Sequence, residues 1–354
     1  MAYTTIDDGS VYFQTALYTG TAGVNNIVND GNSDLQPDWV WLKSSSLTQP
    51  HTLRDSSRGT NKFLYANLAN AEGTNTYLTS FNSDGFSMNS TDNEVNGNGD
   101  TYVAWQWKCN GGTTETAVNE SGSNPANVRQ TNTTAGFSII TYTGTGSAGT
   151  IAHGLGVVPE WIIVKGRDIA TDGMVYHGAN TSAPETDALT LPENSATNDN
   201  ADWWNDTAPT SSVFTLGTHD RVNKDGNTYI AYCFTPIKGY SKFGSYTGNG
   251  DADGPFVYTG FKPAWVLIKE TGATRNWTMA DSKSQTAGNG GVTNSHQANT
   301  TGAKDANERM DWLSDGFRIR TSSTTWNTSS GNFVYMCFAE HPFVSSKGVP
   351  TTAR

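Results

Sequence analysis

The 354-residue chain carries 22 Lys and Arg against 33 Asp and Glu, a formal charge of −11. Its basic residues form no cluster, which excludes binding to a nucleic-acid phosphate backbone as a main role. Only 16% of residues are charged, and no apolar run is long enough to span a bilayer, so no membrane insertion is expected.

The amino terminus, Met1-Ala-Tyr-Thr-Thr-Ile-Asp-Asp-Gly-Ser10, has neither the basic nor the apolar region of a secretory signal. The first predicted strand covers 11–19, where aromatic and small polar residues alternate, and runs into Tyr18-Thr-Gly. Next comes Pro37-Asp-Trp39-Val-Trp-Leu-Lys43, apolar on both faces, which predicts a central strand. A proline at its start fits, because an entering residue need not donate to the ladder. Thr52-Leu-Arg-Asp55 reads as its hairpin partner. Phe81-Asn-Ser-Asp-Gly-Phe86 carries an Asp-Gly turn signal. An aromatic strand, Thr101-Tyr-Val-Ala-Trp-Gln-Trp107, closes the segment. Residues 109–135 are mostly Gly, Ser, Asn and Thr, and predict a linker.

The same order then recurs twice. The second copy has Tyr142-Thr-Gly, Pro159-Glu-Trp161-Ile-Ile-Val-Lys165, Met174-Val-Tyr-His177, Val213-Phe-Thr-Leu-Gly217 and Thr228-Tyr-Ile-Ala-Tyr-Cys-Phe234. The third has Tyr246-Thr-Gly, Pro263-Ala-Trp265-Val-Leu-Ile-Lys269, Thr278-Met-Ala-Asp281, Leu313-Ser-Asp-Gly-Phe317 and Asn332-Phe-Val-Tyr-Met-Cys-Phe338. Matched segments in fixed order mean repeated units. Short strands bounded by turn residues, with almost no helical periodicity, predict an all-β fold of three tandem β-sandwich domains with little or no helix. The expected boundaries are 1–110, 136–238 and 239–343, with a linker at 111–135 and an extended tail at 344–354.

No motif for metal, phosphate or nucleophilic chemistry is present, so no catalytic residue, cofactor or metal site is expected and the chain does not read as an enzyme. Asp55, His177 and Asp281 follow their tryptophans at one constant offset. An acid, base or ligand could not change type between copies, so a polar strand-end residue bonded to backbone is the preferred reading. Asp220, Asn223, Asp225 and Asn227 are oxygen-rich enough to suggest calcium, but turn chemistry explains them without it. Cys109, Cys233 and Cys337 are an odd number and read as buried free thiols. Of the eleven tryptophans, Trp39, Trp161 and Trp265 recur and read as core. Trp203, Trp204, Trp277 and Trp312 are weaker glycan candidates than Trp326, which lacks a counterpart in the other copies and is expected to be exposed.

Long strings carry a family resemblance. Tyr-Thr-Gly-Thr-Gly-Ser-Ala-Gly-Thr-Ile-Ala-His-Gly-Leu-Gly at 142–156, Trp-Asn-Asp-Thr-Ala-Pro-Thr-Ser-Ser-Val-Phe at 204–214 and Gly-Tyr-Ser-Lys-Phe-Gly-Ser-Tyr-Thr-Gly-Asn-Gly at 239–250 resemble a repeat family of marine bacteriophage proteins. So do Ala2-Tyr-Thr-Thr-Ile-Asp-Asp8, the Asp-Leu-Gln-Pro-Asp-Trp-Val-Trp run at 34–41 and Phe338-Ala-Glu-His-Pro-Phe343. The resemblance covers essentially the whole chain. It implies a virion-associated or tail-fibre-like protein and transfers no catalytic residue. The expected role is structural: a head decoration, head fibre or tail-associated fibre, with host adhesion as a further role. Its expected partners are other virion proteins, capsid or tail components, and further copies of itself, with a trimer the first choice. The alternative is a lectin-like receptor-binding protein that recognises bacterial surface glycans.

Overall fold

The computed structural model describes residues 3–116, 121–285, 294–307 and 309–351. Each copy of the sequence repeat builds one large antiparallel sheet with the same internal strand order. In the first copy that order is Phe13–Thr19, Thr101–Trp107, Trp39–Ser44, Thr52–Asp55. In the second it is Phe137–Thr143, Thr228–Phe234, Trp161–Gly166, Met174–His177, and in the third Ser241–Thr247, Asn332–Pro342, Phe261–Glu270, Thr278–Asp281. The tryptophan strand is paired on both sides, as its two apolar faces require. Register repeats with the sequence. Trp39 lies opposite Trp107 and Asp55, Trp161 opposite Phe234 and His177, and Trp265 opposite Phe338 and Asp281. Pro263 sits at a register shift inside its strand, where a missing N–H costs no ladder bond.

Each copy also forms a smaller sheet. Val24–Ile27, Phe86–Asn89 and Leu78–Phe81 make the first, Gly149–Ala152 and Val213–Leu216 the second, and Phe256–Tyr258, Gly316–Ile319 and Met310–Leu313 the third. The Asp-Gly turns after Phe81 and Leu313 are hairpins in these small sheets.

Alternation along the tryptophan strand divides the burial. In the first copy Val40 and Leu42 pack with Phe86 and Met88, and in the second Ile162 and Val164 pack with Phe214 and Leu216. The opposite faces meet in a single cluster that holds Trp39, Trp107, Trp161, Phe234, Trp265 and Phe338. Rings from different copies touch there. Trp39 stacks on Tyr232 at 4.5 Å, Trp107 meets Trp265 edge-on at 5.4 Å, and Phe234 meets Phe338 at 5.7 Å. The three copies thus share one aromatic core, and each such ring contributes roughly 1.5–3 kcal/mol by burial.

The Tyr-Thr-Gly motif is a packing device. Its tyrosines stack on the closing strand, Tyr18 on Tyr102, Tyr142 on Tyr229 and Tyr246 on Phe333, at 4.9 to 5.2 Å. Their hydroxyls donate to the carbonyls of Val95, Val222 and Trp326 at 2.6 to 2.7 Å. The glycine that follows is sterically required. A Cβ on Gly20, Gly144 or Gly248 would stand 2.0, 2.3 or 2.2 Å from a backbone oxygen of the facing turn.

Two expectations are corrected. The segment read as a linker at 111–135 contains Asn127–Asn132, a strand paired with residues 137–142, and a short outer strand, Glu115–Thr116. Its polarity hid it, because its buried face is polar: Gln130 Nε2 donates to the hydroxyls of Ser56 and Ser57. Over its described residues, 344–351, the tail is not extended; 352–354 lie outside the described residues. Val344 and Pro350 form an antiparallel bridge about a turn in which Gly348 has φ 78°, and Ser346 N–H donates to Asp7 Oδ1 at 2.6 Å. Two single-turn helices, Asp220–Asn223 and Thr324–Asn327, precede closing strands, in keeping with the little helix expected.

Candidate functional site

The constant-offset residues Asp55, His177 and Asp281 are all buried, and each reaches the closing strand of another copy. Tyr232 of the second copy donates its hydroxyl to Asp55 Oδ2 at 2.8 Å. His177 Nε2 meets the Tyr335 carbonyl of the third copy at 3.1 Å. Trp105 Nε1 of the first copy donates to Asp281 Oδ2 at 3.1 Å. First joins second, second joins third, and third joins first, so the contacts close a ring. A carbonyl only accepts, and His177 Nδ1 accepts from Ala179 N–H, so the proton resides on Nε2. Burial pushes this imidazole down to about 4 and keeps it neutral. These residues bridge copies; they do not bond only to nearby backbone.

A second ring runs through the main chain. Glu72 N–H donates to the Arg167 carbonyl, Thr197 N–H to Thr271 and Lys304 N–H to Ser45, each joining two copies. The shared lysines sit at the same seams. Lys165 Nζ donates to the Leu68 carbonyl of the first copy, and Lys269 Nζ to Asn194 of the second. Burial lowers Lys43, Lys165 and Lys269 to about 8. At the first-to-second seam Arg58 is buried between Asp55 at 2.6 Å and Glu72 at 3.1 Å, and Arg167 also holds Glu72.

Within the calcium candidate, Asn223 is committed to protein contacts. Asn223 Oδ1 accepts from Thr145 N–H, and its amide donates to Ser147 and Gly217. Asn96 and Asn327 do the same work in the other copies, each buried beneath the loop that follows Tyr-Thr-Gly. This shared asparagine stands at a constant offset ahead of the closing strand, a signal present in the sequence but not used. Among the described residues, no three His, Cys, Asp or Glu side chains gather to hold a metal.

Trp326 is buried, contrary to the exposed position expected. It does have counterparts: Val95 and Val222 occupy its position, each offering the carbonyl that the Tyr-Thr-Gly tyrosine bonds. Trp203, Trp204 and Trp277 are buried as well, each donating its indole N–H within the chain. Trp312 is half-buried against the core. Cys109, Cys233 and Cys337 are buried free thiols.

The aromatic rings that do face outward lie elsewhere. Phe256 and Tyr258 are 47% and 49% exposed on the strand Phe256–Tyr258. Alternation puts both on its outer face while Val257 points in. Tyr3 joins them, its hydroxyl 3.3 Å from that of Tyr258, and Lys238 and Lys242 sit over the Tyr3 and Tyr258 rings. An exposed flat ring can stack on a sugar face, although at Tyr3 and Tyr258 a lysine already takes one face of the ring. Phe256 takes the register position of Asn26 in the first copy, and neither it nor Tyr258 has an aromatic counterpart, so no spacing marked them.

The family model described as "Domain of unknown function (DUF7483)" matches residues 8–342, and the chain belongs to that family. No curated protein matches it.

Proposed function

We propose that this protein is a structural component of a bacteriophage particle, a head decoration, head fibre or tail-associated fibre, assembled from three tandem β-sandwich modules locked into one body. The observation that carries this reading is the ring of Asp55, His177 and Asp281. The polar residues that the repeat keeps at one position serve to join copies, which is a building-block use. A family model that runs across all three copies supports treating them as one unit. The bacteriophage assignment rests on the sequence resemblance. In this reading the protein is made in the host cytoplasm, carried on the virion and bound to capsid or tail components. Self-association, with a trimer first, belongs to the same proposal; light scattering that returns a monomer mass would remove it. Antibody labelling of purified virions, with copy number from a quantitative gel, tests the whole. Regular labelling of head or tail is expected, and absence from the particle overturns the reading.

The second reading, a lectin for bacterial surface glycans, is favoured by one observation: the outward Phe256 and Tyr258 beside Lys238 and Lys242. Binding to host cells that is lost in Phe256→Ala and Tyr258→Ala would support it. Binding unchanged in both would move the site elsewhere.

A further inference from the structure

The main-chain bonds between copies mark three equivalent seams, and the chain fills them differently. The residue three positions after Asp55, His177 and Asp281 is Arg58, Asn180 and Ser284. The main-chain donor across each seam is Glu72, Thr197 or Lys304, and its acceptor is Arg167, Thr271 or Ser45. Between the first and second copies these residues are Arg58, Glu72 and Arg167, paired side chain to side chain. Between the second and third they are Asn180, Thr197 and Thr271, each shorter and uncharged.

A cleft of about 340 Å³ stands at this second seam. It crosses the face of the third large sheet, from residues 245–247 over 332–334 to Thr271, and residues 179–182 of the second copy form its other wall. Among the described residues, no charged side chain lines it. Asn180 lines it and is only 5% exposed. Its Oδ1 accepts from the Thr197 hydroxyl at 2.8 Å, and its Nδ2 has no partner among the described residues. A buried amide N–H left unmatched is costly, so its place beside the cleft points to an acceptor that a ligand supplies. The like cleft between the third and first copies, about 240 Å³, is lined by Lys304 and the exposed Leu17 and lacks this uncharged polar lining.

We infer that the cleft between the second and third copies is a binding subsite for one uncharged sugar ring. A charged ligand would enter it without a counter-ion. The hydroxyls of Thr181, Ser182, Ser245 and Thr247 each donate and accept, and the amides of Asn180 and Asn332 each carry a donor and an acceptor. A ring of sugar hydroxyls, each of which also donates and accepts, matches that mixture. The volume lies at the small end of ligand sites, which run roughly 300–1,000 Å³. A sugar is the ligand class of the lectin reading, on which this assignment rests, but the cleft is a site apart from Phe256 and Tyr258.

Backbone amide shifts of Thr181, Ser245 and Thr247 in the nitrogen-labelled full chain, titrated with glucose, galactose, mannose or N-acetylglucosamine to about 50 mM, test it. At least one sugar should give saturable shifts with a Kd of about 1–10 mM, and glucuronate should bind more weakly than the best of them. Asn180→Arg with Thr197→Glu rebuilds the charged filling of the first seam and should weaken binding at least about tenfold. Asn180→Ser, the residue of the third seam, should weaken it at least about threefold and serves where the double variant does not fold. Phe256→Ala should leave it unchanged. No saturable shift from any of the four sugars, tightest binding by glucuronate, or unchanged binding in the Asn180 variants overturns the assignment. Loss in Phe256→Ala alone also overturns it and returns sugar binding to the outward rings, so the lectin reading stands while this site falls.

Discussion

At the residue scale, the change from Asp55 to His177 to Asp281 follows from what faces each one. Tyr232 and Trp105 are donors, so a carboxylate meets them. The residue at their position in the third copy is Met336, which has no hydrogen to give; a side chain there must itself donate, and His177 does so to the Tyr335 carbonyl. His177→Asp should therefore set a carboxylate against a carbonyl in a buried site and destabilise by about 3 kcal/mol or more in urea unfolding, whereas His177→Gln should cost far less. Asp55→Ala strips a partner from buried Arg58 and should cost about 3–5 kcal/mol, against about 1 kcal/mol for Tyr232→Phe. The same burial makes the protein acid-sensitive. His177 is held down to about 4 and His296 to about 3, with burial the leading cause, so the unfolded chain takes up protons first as pH falls. Their contribution is complete above the ordinary histidine value of 6.5 and is lost as pH falls below it. The melting temperature should drop from about pH 6.5 towards 4, less steeply in His177→Gln. A flat profile over that range would contradict this account of the buried imidazoles.

At the element scale, the glycine of Tyr-Thr-Gly is the most exacting position. Gly144→Ala would put a methyl 2.3 Å from the Lys224 carbonyl oxygen and should destabilise by about 1–3 kcal/mol, measured by thermal melting. The strands around it were legible because hydrophobic period and turn residues speak locally. The tryptophan strand, its hairpin partner and the closing strand all stand where the pattern put them. Asn127–Asn132 was not legible, because an added edge strand whose inner face bonds hydroxyls has the composition of a loop. Trp326 misled for a related reason. It was compared by residue type, but its position is defined by a backbone carbonyl that Val95 and Val222 offer equally well. Asn223 reads from sequence as turn chemistry, and its side chain is committed to the turn it organises.

At the scale of the whole molecule, the chain does internally what symmetric assemblies do between chains. Each large sheet has one face on its own small sheet or loops and the other on a core built jointly with the other two copies. None of this could be read from spacing alone, since a repeat reports that units are alike and not how they face each other. The consequence is cooperativity: with Trp39, Trp161 and Trp265 in one cluster and hydrogen bonds closing first to second, second to third and third to first, no copy can unfold without exposing the aromatic faces of the others. Scanning calorimetry of the intact chain tests this most directly. The account predicts one transition whose calorimetric and van't Hoff enthalpies agree; two or three resolved transitions, or a calorimetric enthalpy several times the van't Hoff value, would contradict it.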